Sequence, residues 1–161
     1  NGRRIIYREQ ANHAGGTGAA PMTAREVPHE TSAVMYADDI HGARALKEAV
    51  SADHAILAAH SDTPERYGAL LLNEDKTLHT ILEKPEKSPT NLVSIGGFVM
   101  HERIFSYNVP LSPKGELYLT DMFSAYAKDH PVKIIMQDLW LPIGYPEDIQ
   151  KAESALKALK E

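Results

Sequence analysis

The stretch that decides the fold is LHTILEKPEKSPTNLVSIGGFVM, residues 78–100. A strand-like alternation of apolar and polar residues ends at Glu83-Lys84-Pro85, because proline cannot donate a hydrogen bond within a sheet. A polar loop follows, and a second strand then opens with Ser94-Ile95-Gly96-Gly97. The pattern predicts a carboxylate and an ammonium side by side at a strand end, near glycine backbone that a ligand can approach closely.

Glu83 and Lys84 are residue types that suit a ligand carrying both hydroxyl groups and a phosphate. A carboxylate accepts hydrogen bonds from hydroxyls, and an ammonium is a point charge for a phosphate. The alternative is a solvated Glu-Lys pair before a turn, which a lone Glu-Lys-Pro tripeptide does not exclude. The rest of the chain has to decide between these two interpretations.

Length and composition limit the class of protein. The 161 residues fit a single domain, with 43% hydrophobic and 24% charged residues, as in soluble globular proteins. The net charge of −5, with both signs interspersed, argues against a nucleic-acid partner. There is no cysteine and no apolar run of membrane-spanning length. We therefore expect a cytoplasmic protein with no membrane partner, no disulfides and no thiolate metal site.

The remaining patterns alternate between strands and helices, which predicts an α/β fold. Ile5–Tyr7 is a candidate short strand, and Ser32–Ala37 is an apolar run that predicts a strand buried on both faces. Residues 67–83 predict a hairpin. The last helix, about Glu147–Lys160, is expected to close the domain. Its helical spacing predicts one buried stripe made of Ile149, Ala152, Ala155, Leu156 and Leu159.

Two adjacent carboxylates, Asp38 and Asp39, follow the predicted strand at Ser32–Ala37. Ligands of open α/β sheets bind at the carboxyl ends of strands, and Mg²⁺ is commonly held by one or two carboxylates plus substrate phosphates. The alternative is that Asp39 caps the next helix, about Arg44–Val50, which leaves Asp38 as the functional residue.

The loop Gln10–Ala20 contains Gly16-Thr17-Gly18. It predicts either a backbone cradle for a base or phosphate, or a flexible glycine loop. Further along, Thr120 and Asp121 are expected in the first turn of a helix, where an acid is favoured by the helix dipole. Helix-start chemistry suffices for Asp121, whereas Glu116, in the loop just before, has no such explanation.

In their order and spacing these motifs resemble the sugar-1-phosphate nucleotidyltransferases. The nearest branch is the UTP–glucose-1-phosphate uridylyltransferases, with the thymidylyltransferases next. The matching segments are Gly16-Thr17-Gly18-Ala19-Ala20, Val34–Ile40, Tyr67-Gly68, Glu83-Lys84-Pro85, Thr90-Asn91-Leu92, Ile95-Gly96-Gly97-Phe98, Gly115–Asp121, and Trp140 with Ile143-Gly144 and Pro146-Glu147-Asp148.

The resemblance implies a role for each matching residue. The residues implied to contact the nucleotide are Gln10, Gly16 and Thr17. Asp38 is implied to hold Mg²⁺ and, with Lys84, to be catalytic. The residues implied to bind the sugar phosphate are Gly68, Glu83, Lys84, Asn91, Gly96 and Glu116.

The resemblance also implies a fold and a reaction. The fold is an incomplete Rossmann-like α/β fold with a mixed, mostly parallel sheet flanked by helices. In the reaction, a sugar 1-phosphate oxygen attacks the α-phosphorus of UTP or dTTP, which gives a nucleotide-sugar and pyrophosphate. Such catalysis consists mainly of positioning and of neutralising phosphate charge with Lys and Mg²⁺.

Two departures from the family pattern qualify these expectations. The 161 residues contain no Gly-rich loop with an Arg and a downstream Lys to bind the triphosphate, so we expect an N-terminally truncated domain over residues 1–161 that is inactive alone. The alternative is a non-catalytic module that binds a sugar phosphate or nucleotide-sugar.

Pro142 stands where the family places a second metal-binding carboxylate, with Asp138 nearby. A missing strand would expose a sheet edge, which predicts self-association into a homo-oligomer.

Overall fold

The computed structural model describes residues 4–27 and 30–159. The strands are β1 (Thr31–Met35), β2 (Asp39–His41), β3 (Ala55–His60), β4 (Gly68–Leu72), β5 (Leu78–Glu83), β6 (Leu92–His101), β7 (Lys133–Met136) and β8 (Trp140–Pro142). The α-helices are α1 (Ala19–Met22), α2 (Ala43–Ala49), α3 (Leu119–Tyr126) and α4 (Pro146–Ala158), with short 3₁₀ helices at Pro64–Arg66 and Glu102–Ser106. Among these residues, no helix combines the length and apolar character needed to cross a bilayer.

β6 is the central strand of the main sheet, because three other strands pair with it. The sheet order is β5-β4-β6-β3-β7, with β1 also beside β6. β3 occupies one edge of β6 over nearly its full length. The other edge is shared: β1 pairs with Gly97–His101, and β4 pairs with Val93 and Ser94. A gap therefore lies between the end of β1 and the start of β4.

The predicted α/β fold with a mixed sheet flanked by helices is confirmed. Strands β1, β3, β4 and β7 point the same way, whereas β5 and β6 run in the opposite direction. Four of the six strands of this sheet thus share one direction. Within the described residues, however, β3–β7 is the one parallel hydrogen-bonded pair of this sheet, because β6 lies between strands of the opposite direction.

The core has one layer on each face of the sheet. Residues 92–100 of β6 are all buried, as expected for a strand covered on both faces. α3 covers one face with Leu119, Met122, Phe123 and Tyr126. α2 covers the other with small residues, Ala45 and Ala49.

The prediction that Ser32–Ala37 is buried on both faces is wrong. β1 alternates, and Thr31, Ala33 and Met35 are exposed. The physical reason is its edge position: among the described residues β1 pairs with β6 alone, and residues 32–36 line an open groove. Ile5–Tyr7 does not form a strand either and leaves its side chains exposed. Self-association through the β1 edge stays a prediction.

The last helix has the expected position but not the expected burial. α4 buries Ala152, whereas Ile149 and Leu159 are 49% and 64% exposed. α4 packs beside β8, whose two-stranded sheet with β2 is too small to cover the whole stripe. Lys160, the last residue of the predicted helix, lies outside the described residues.

α2 is capped by a residue distant in the sequence. The Ala45 N–H donates to Asp138 Oδ1 at 3.1 Å. Gly42 makes room for this carboxylate, since a Cβ at Gly42 would lie 2.5 Å from Asp138 Oδ1. The alternative role for Asp39 as the cap is therefore excluded; Asp39 lies in β2. Asp138 is committed to α2 and does not stand in for the carboxylate missing at Pro142.

Replacing the capping carboxylate gives a test of this arrangement. We expect Asp138→Ala to lower the free energy of unfolding by about 1 kcal/mol, the usual cost of losing a helix cap. Arg44→Ala is the control, because its Nε is 4.0 Å from Asp138 Oδ2 and its side chain is exposed. Urea denaturation measures both, and equal effects of the two substitutions would contradict the capping role.

Candidate functional site

A cavity of about 470 Å³ opens at the gap between β1 and β4. It is bounded by the ends of these strands, by the middle of β6, by the end of β5 and by the β8–α4 connection. Several residues singled out from the sequence converge on it: Thr17, Asp38, Gly68, Glu83, Lys84 and Gly96. The cavity is therefore the candidate ligand site.

Glu83 is fixed in the cavity by a buried hydroxyl. Its Oε2 accepts a hydrogen bond of 2.9 Å from Thr120 Oγ1, and Thr120 is only 4% exposed. Gly68 is the ladder partner of Glu83, and a Cβ there would lie 2.9 Å from Ile81 Cγ2 and 3.4 Å from Glu83 Oε2. A bare glycine is thus needed beside the carboxylate. The sequence pattern missed Thr120, because no local signal links residues 37 positions apart.

Lys84 leaves the sheet with an unusual backbone. Its φ is +42°, in the left-handed region that a residue with a side chain occupies only at a cost. Its N–H still donates to Tyr67 O at 3.1 Å, which holds the turn at the end of β5. Such strained positions cluster at functional sites. The turn brings Lys84 into the same cavity as Glu83, which an ideal strand would place on the opposite face.

Gly96 forms the floor of the cavity where β1 ends. Its φ is +73°, and a Cβ there would lie 2.5 Å from the Tyr36 ring. The Tyr36 N–H donates to Gly96 O at 2.8 Å. Burial raises the pKa of the Tyr36 phenol, and the nearby carboxylates Glu83, Asp38 and Asp39 raise it further. The phenol therefore remains a neutral hydrogen-bonding group at neutral pH.

The two adjacent aspartates have different environments. Asp39 is partly buried, and its Oδ2 accepts from Trp140 Nε1 at 2.9 Å. Burial raises the Asp39 carboxyl pKa, and the charge of Asp38 adds to this effect. Asp38 is exposed to the cavity, and within the described residues its carboxylate accepts no hydrogen bond. Asp38 is therefore the carboxylate available to a ligand.

The donor set limits the kind of metal site. Among the described residues there is no cluster of three or more His, Asp or Glu able to hold a metal ion. Pro142, which pairs with Asp39, has no side-chain group able to bind a metal ion. An available Asp38 carboxylate facing a cavity of about 470 Å³ fits Mg²⁺ held jointly by Asp38 and the phosphates of a ligand, and does not fit a cage made of protein ligands alone.

Most of the other predicted residues line a second hollow, a groove of about 940 Å³ beside β1. Gln10, Gly16, Thr17 and Glu116 are among its lining residues, and Thr17 borders both spaces. Gly16 has a φ of +85°, and a Cβ there would lie 2.5 Å from Leu117 O. Thr17 Oγ1 accepts from the Leu119 N–H at 3.1 Å. The glycine loop is thus packed against the start of α3, which favours the cradle over the flexible loop.

Asn91 is the predicted site residue that lies elsewhere. It is exposed at the start of β6 and lines neither of the two hollows. Its Oδ1 lies 2.9 Å from His60 Nδ1, and its carbonyl accepts from the Ser61 N–H. Asn91 therefore ties the start of β6 to the end of β3, and the sugar-binding role implied for it stays a prediction.

The left-handed backbone of Lys84 gives a test that separates stability from binding. We expect Lys84→Gly to change the free energy of unfolding by about 1 kcal/mol or less, in the stabilising direction, because relief of strain outweighs added chain entropy. It should also strongly weaken the binding of glucose 1-phosphate. Lys76→Gly is the matched control: its φ is +64°, in the β4–β5 hairpin. Lys76→Gly should change the free energy of unfolding by a similar amount and leave the binding of glucose 1-phosphate unchanged. Urea denaturation and calorimetry measure the two quantities, and a clear loss of stability in Lys84→Gly alone would contradict the strain.

Comparison with known proteins finds relatives of this chain. A family model described as nucleotidyl transferase matches residues 3–158. A bifunctional sugar-1-phosphate nucleotidylyltransferase/acetyltransferase of Sulfurisphaera tokodaii is 35% identical over 91% of this chain and 37% of its own length. The UTP–glucose-1-phosphate uridylyltransferase AglF of Haloferax volcanii is 31% identical, over 95% of this chain and 67% of its own length.

The fold agrees as well. A UDP-glucose pyrophosphorylase solved with UDP-glucose superposes with a TM-score of 0.75 at 21% identity, covering 91% of this chain and 64% of that protein. The chain therefore spans well under half of the Sulfurisphaera relative and about two thirds of the other two proteins. The family model covers nearly the whole chain, and the Haloferax relative, covered to two thirds, is 31% identical. This chain therefore belongs to the nucleotidyl transferase family.

Proposed function

We propose that this chain is the sugar-phosphate-binding part of an enzyme that transfers a nucleotidyl group from UTP or dTTP to a sugar 1-phosphate. The observation that carries the proposal is the convergence of Glu83, Lys84, Gly68 and Gly96 on one cavity that also contains Asp38. These residues combine a hydroxyl acceptor, a phosphate cation and open backbone. That combination matches a phosphorylated sugar better than it matches a surface turn.

Each group has a task that its geometry supports. Glu83, oriented by Thr120, accepts hydrogen bonds from sugar hydroxyls. The bare Gly68 lets the sugar approach the backbone. Lys84 neutralises the phosphate of the sugar, whose oxygen forms the new bond to the α-phosphorus while the bond to the β-phosphate breaks. The electron pair of the broken bond leaves with pyrophosphate. Because the sugar phosphate attacks the α-phosphorus directly, no covalent enzyme intermediate is required.

A metal ion has a defined place in this proposal. Asp38 would hold Mg²⁺ together with substrate phosphates, and the ion would supply neutralisation of the negative charge on the transferred group. Asp39 contributes less to such a site, because the Trp140 indole already occupies one of its carboxylate oxygens. The Thr17 loop, on the border of both hollows, would contact the nucleotide.

The relatives favour a uridylyl donor, since AglF is described as a UTP–glucose-1-phosphate uridylyltransferase. We also expect the 161-residue polypeptide alone to bind the sugar phosphate without turnover, because its residues include no Gly-rich triphosphate loop. The second candidate function, a non-catalytic sugar-phosphate module, rests on that same absence and on Pro142. A cytoplasmic location stays a prediction.

The experiment is a titration of the chain with glucose 1-phosphate in the presence of Mg²⁺. We expect Glu83→Ala to weaken binding by about 10- to 100-fold, the value of one charged hydrogen bond of 1.5–3 kcal/mol. Glu86→Ala is the matched control, an exposed carboxylate just after Pro85 that does not line the cavity. Equal affinities of the two variants would remove Glu83 from the site.

A second arm separates the enzyme from the binding module. UTP is added, and pyrophosphate release is measured. No release from the 161-residue chain, with intact binding, is the expected result. Release above background would show that the chain itself catalyses transfer and would contradict its expected inactivity. Absence of any glucose 1-phosphate binding would contradict the proposed function as a whole.

A further inference from the structure

The cavity that contains Glu83 and Lys84 is lined by a second cation that the sequence motifs do not single out. Four carboxylates line this space, Asp38, Asp39, Glu83 and Asp148, but the cations lining it are Arg66 and Lys84. A sugar phosphate would add further negative charge to this space. A second cation on the wall, beside Lys84, would therefore add to the attraction for such a ligand.

Arg66 is free to meet a ligand. Within the described residues, two ion pairs have an N–O distance of 4.0 Å or less: Arg44–Asp138 and Lys151–Asp148. Arg66 is in neither of them. Asp148 is already satisfied, because its two oxygens accept from Lys151 Nζ at 2.9 Å and from the Tyr145 N–H at 3.1 Å. The guanidinium charge is therefore not paired with a neighbouring carboxylate in this part of the chain.

The fold places Arg66 beside Lys84. Arg66 ends the 3₁₀ helix that precedes β4, directly before Tyr67, whose carbonyl accepts from the Lys84 N–H at 3.1 Å. The start of β4 and the end of β5 thus bring both cations to the same end of a strand pair. Arg66 is among the residues that line the cavity.

Tyr145 orients the guanidinium. The Arg66 Cζ lies 5.5 Å from the centre of the Tyr145 ring, within the range of a cation–π contact. Tyr145 is itself anchored at the start of α4 by its hydrogen bonds with Asp148. Within the described residues the Arg66 guanidinium is in no ion pair, so its N–H groups are available to bind a phosphate as a fork.

We propose that Arg66, held on the Tyr145 ring, is a second phosphate-binding residue that clamps the phosphate of the sugar 1-phosphate together with Lys84. This inference rests on the proposed function, because it presumes a phosphorylated sugar in this cavity. It assigns the two cations different tasks. Lys84 is a point charge on a strained, fixed backbone, whereas Arg66 is an exposed arm at the mouth that adds directional hydrogen bonds.

The test is calorimetric titration of the 161-residue chain with glucose 1-phosphate at two NaCl concentrations. Arg66→Gln is expected to weaken binding about 10-fold, the lower end for a charged hydrogen bond at an exposed position. It should also reduce the loss of affinity that added salt causes, because one charge contact is missing. A merely structural role of Arg66 would leave that salt dependence unchanged. Tyr145→Leu, which removes the ring, should weaken binding about 2- to 5-fold.

Arg44→Gln is the matched control, since it removes the same charge from an exposed position outside the cavity. If Arg66→Gln and Arg44→Gln bind glucose 1-phosphate equally well, with the same salt dependence, the Arg66 assignment is overturned while the proposed function stands. If the unmodified chain fails to bind glucose 1-phosphate at all, both are overturned.

Discussion

The shared edge of β6 is the constraint on which the rest of the structure depends. β3 fills one edge of this strand, so β1 and β4 must divide the other between them. β1 ends at Met35, opposite Gly97, and the positive φ of the adjacent Gly96 and the Tyr36 ring end its regular pairing there. The cavity is the space between the two strands. Its polar residues come from strand ends that have to stop there, which is why they converge although they are distant in the sequence.

The charged side chains of the cavity are oriented by neutral hydrogen-bond donors and by backbone geometry. Glu83 is fixed by the Thr120 hydroxyl and Asp39 by the Trp140 indole, so neither negative charge is cancelled by a cation. The cations remain available because the fold gives them other supports. Lys84 is directed by its left-handed backbone, and Arg66 rests on the Tyr145 ring. A site built in this way keeps both signs of charge for an incoming ligand.

Sequence patterns predicted most strands and the cluster around Glu83, because strand periodicity and Glu-Lys-Pro are local signals. They failed where the deciding contact is distant. Burial of β1 depends on what lies beside it, and the cap of α2 is supplied by Asp138. No local sequence pattern shows that Thr120 and Arg66 lie in the cavity. Asn91 had the right motif, but its side chain faces His60. Motif matching assigns roles, and only packing shows which side chains can meet.

The most direct measurement is a crystal structure of the 161-residue chain grown with glucose 1-phosphate. If the strand gap on β6 is the binding site, the hexose will lie against Glu83 and the Gly68 backbone. Its phosphate will then lie within hydrogen-bonding distance of Lys84 Nζ. Ligand density in the groove beside β1, with an empty space between β1 and β4, would contradict the central claim.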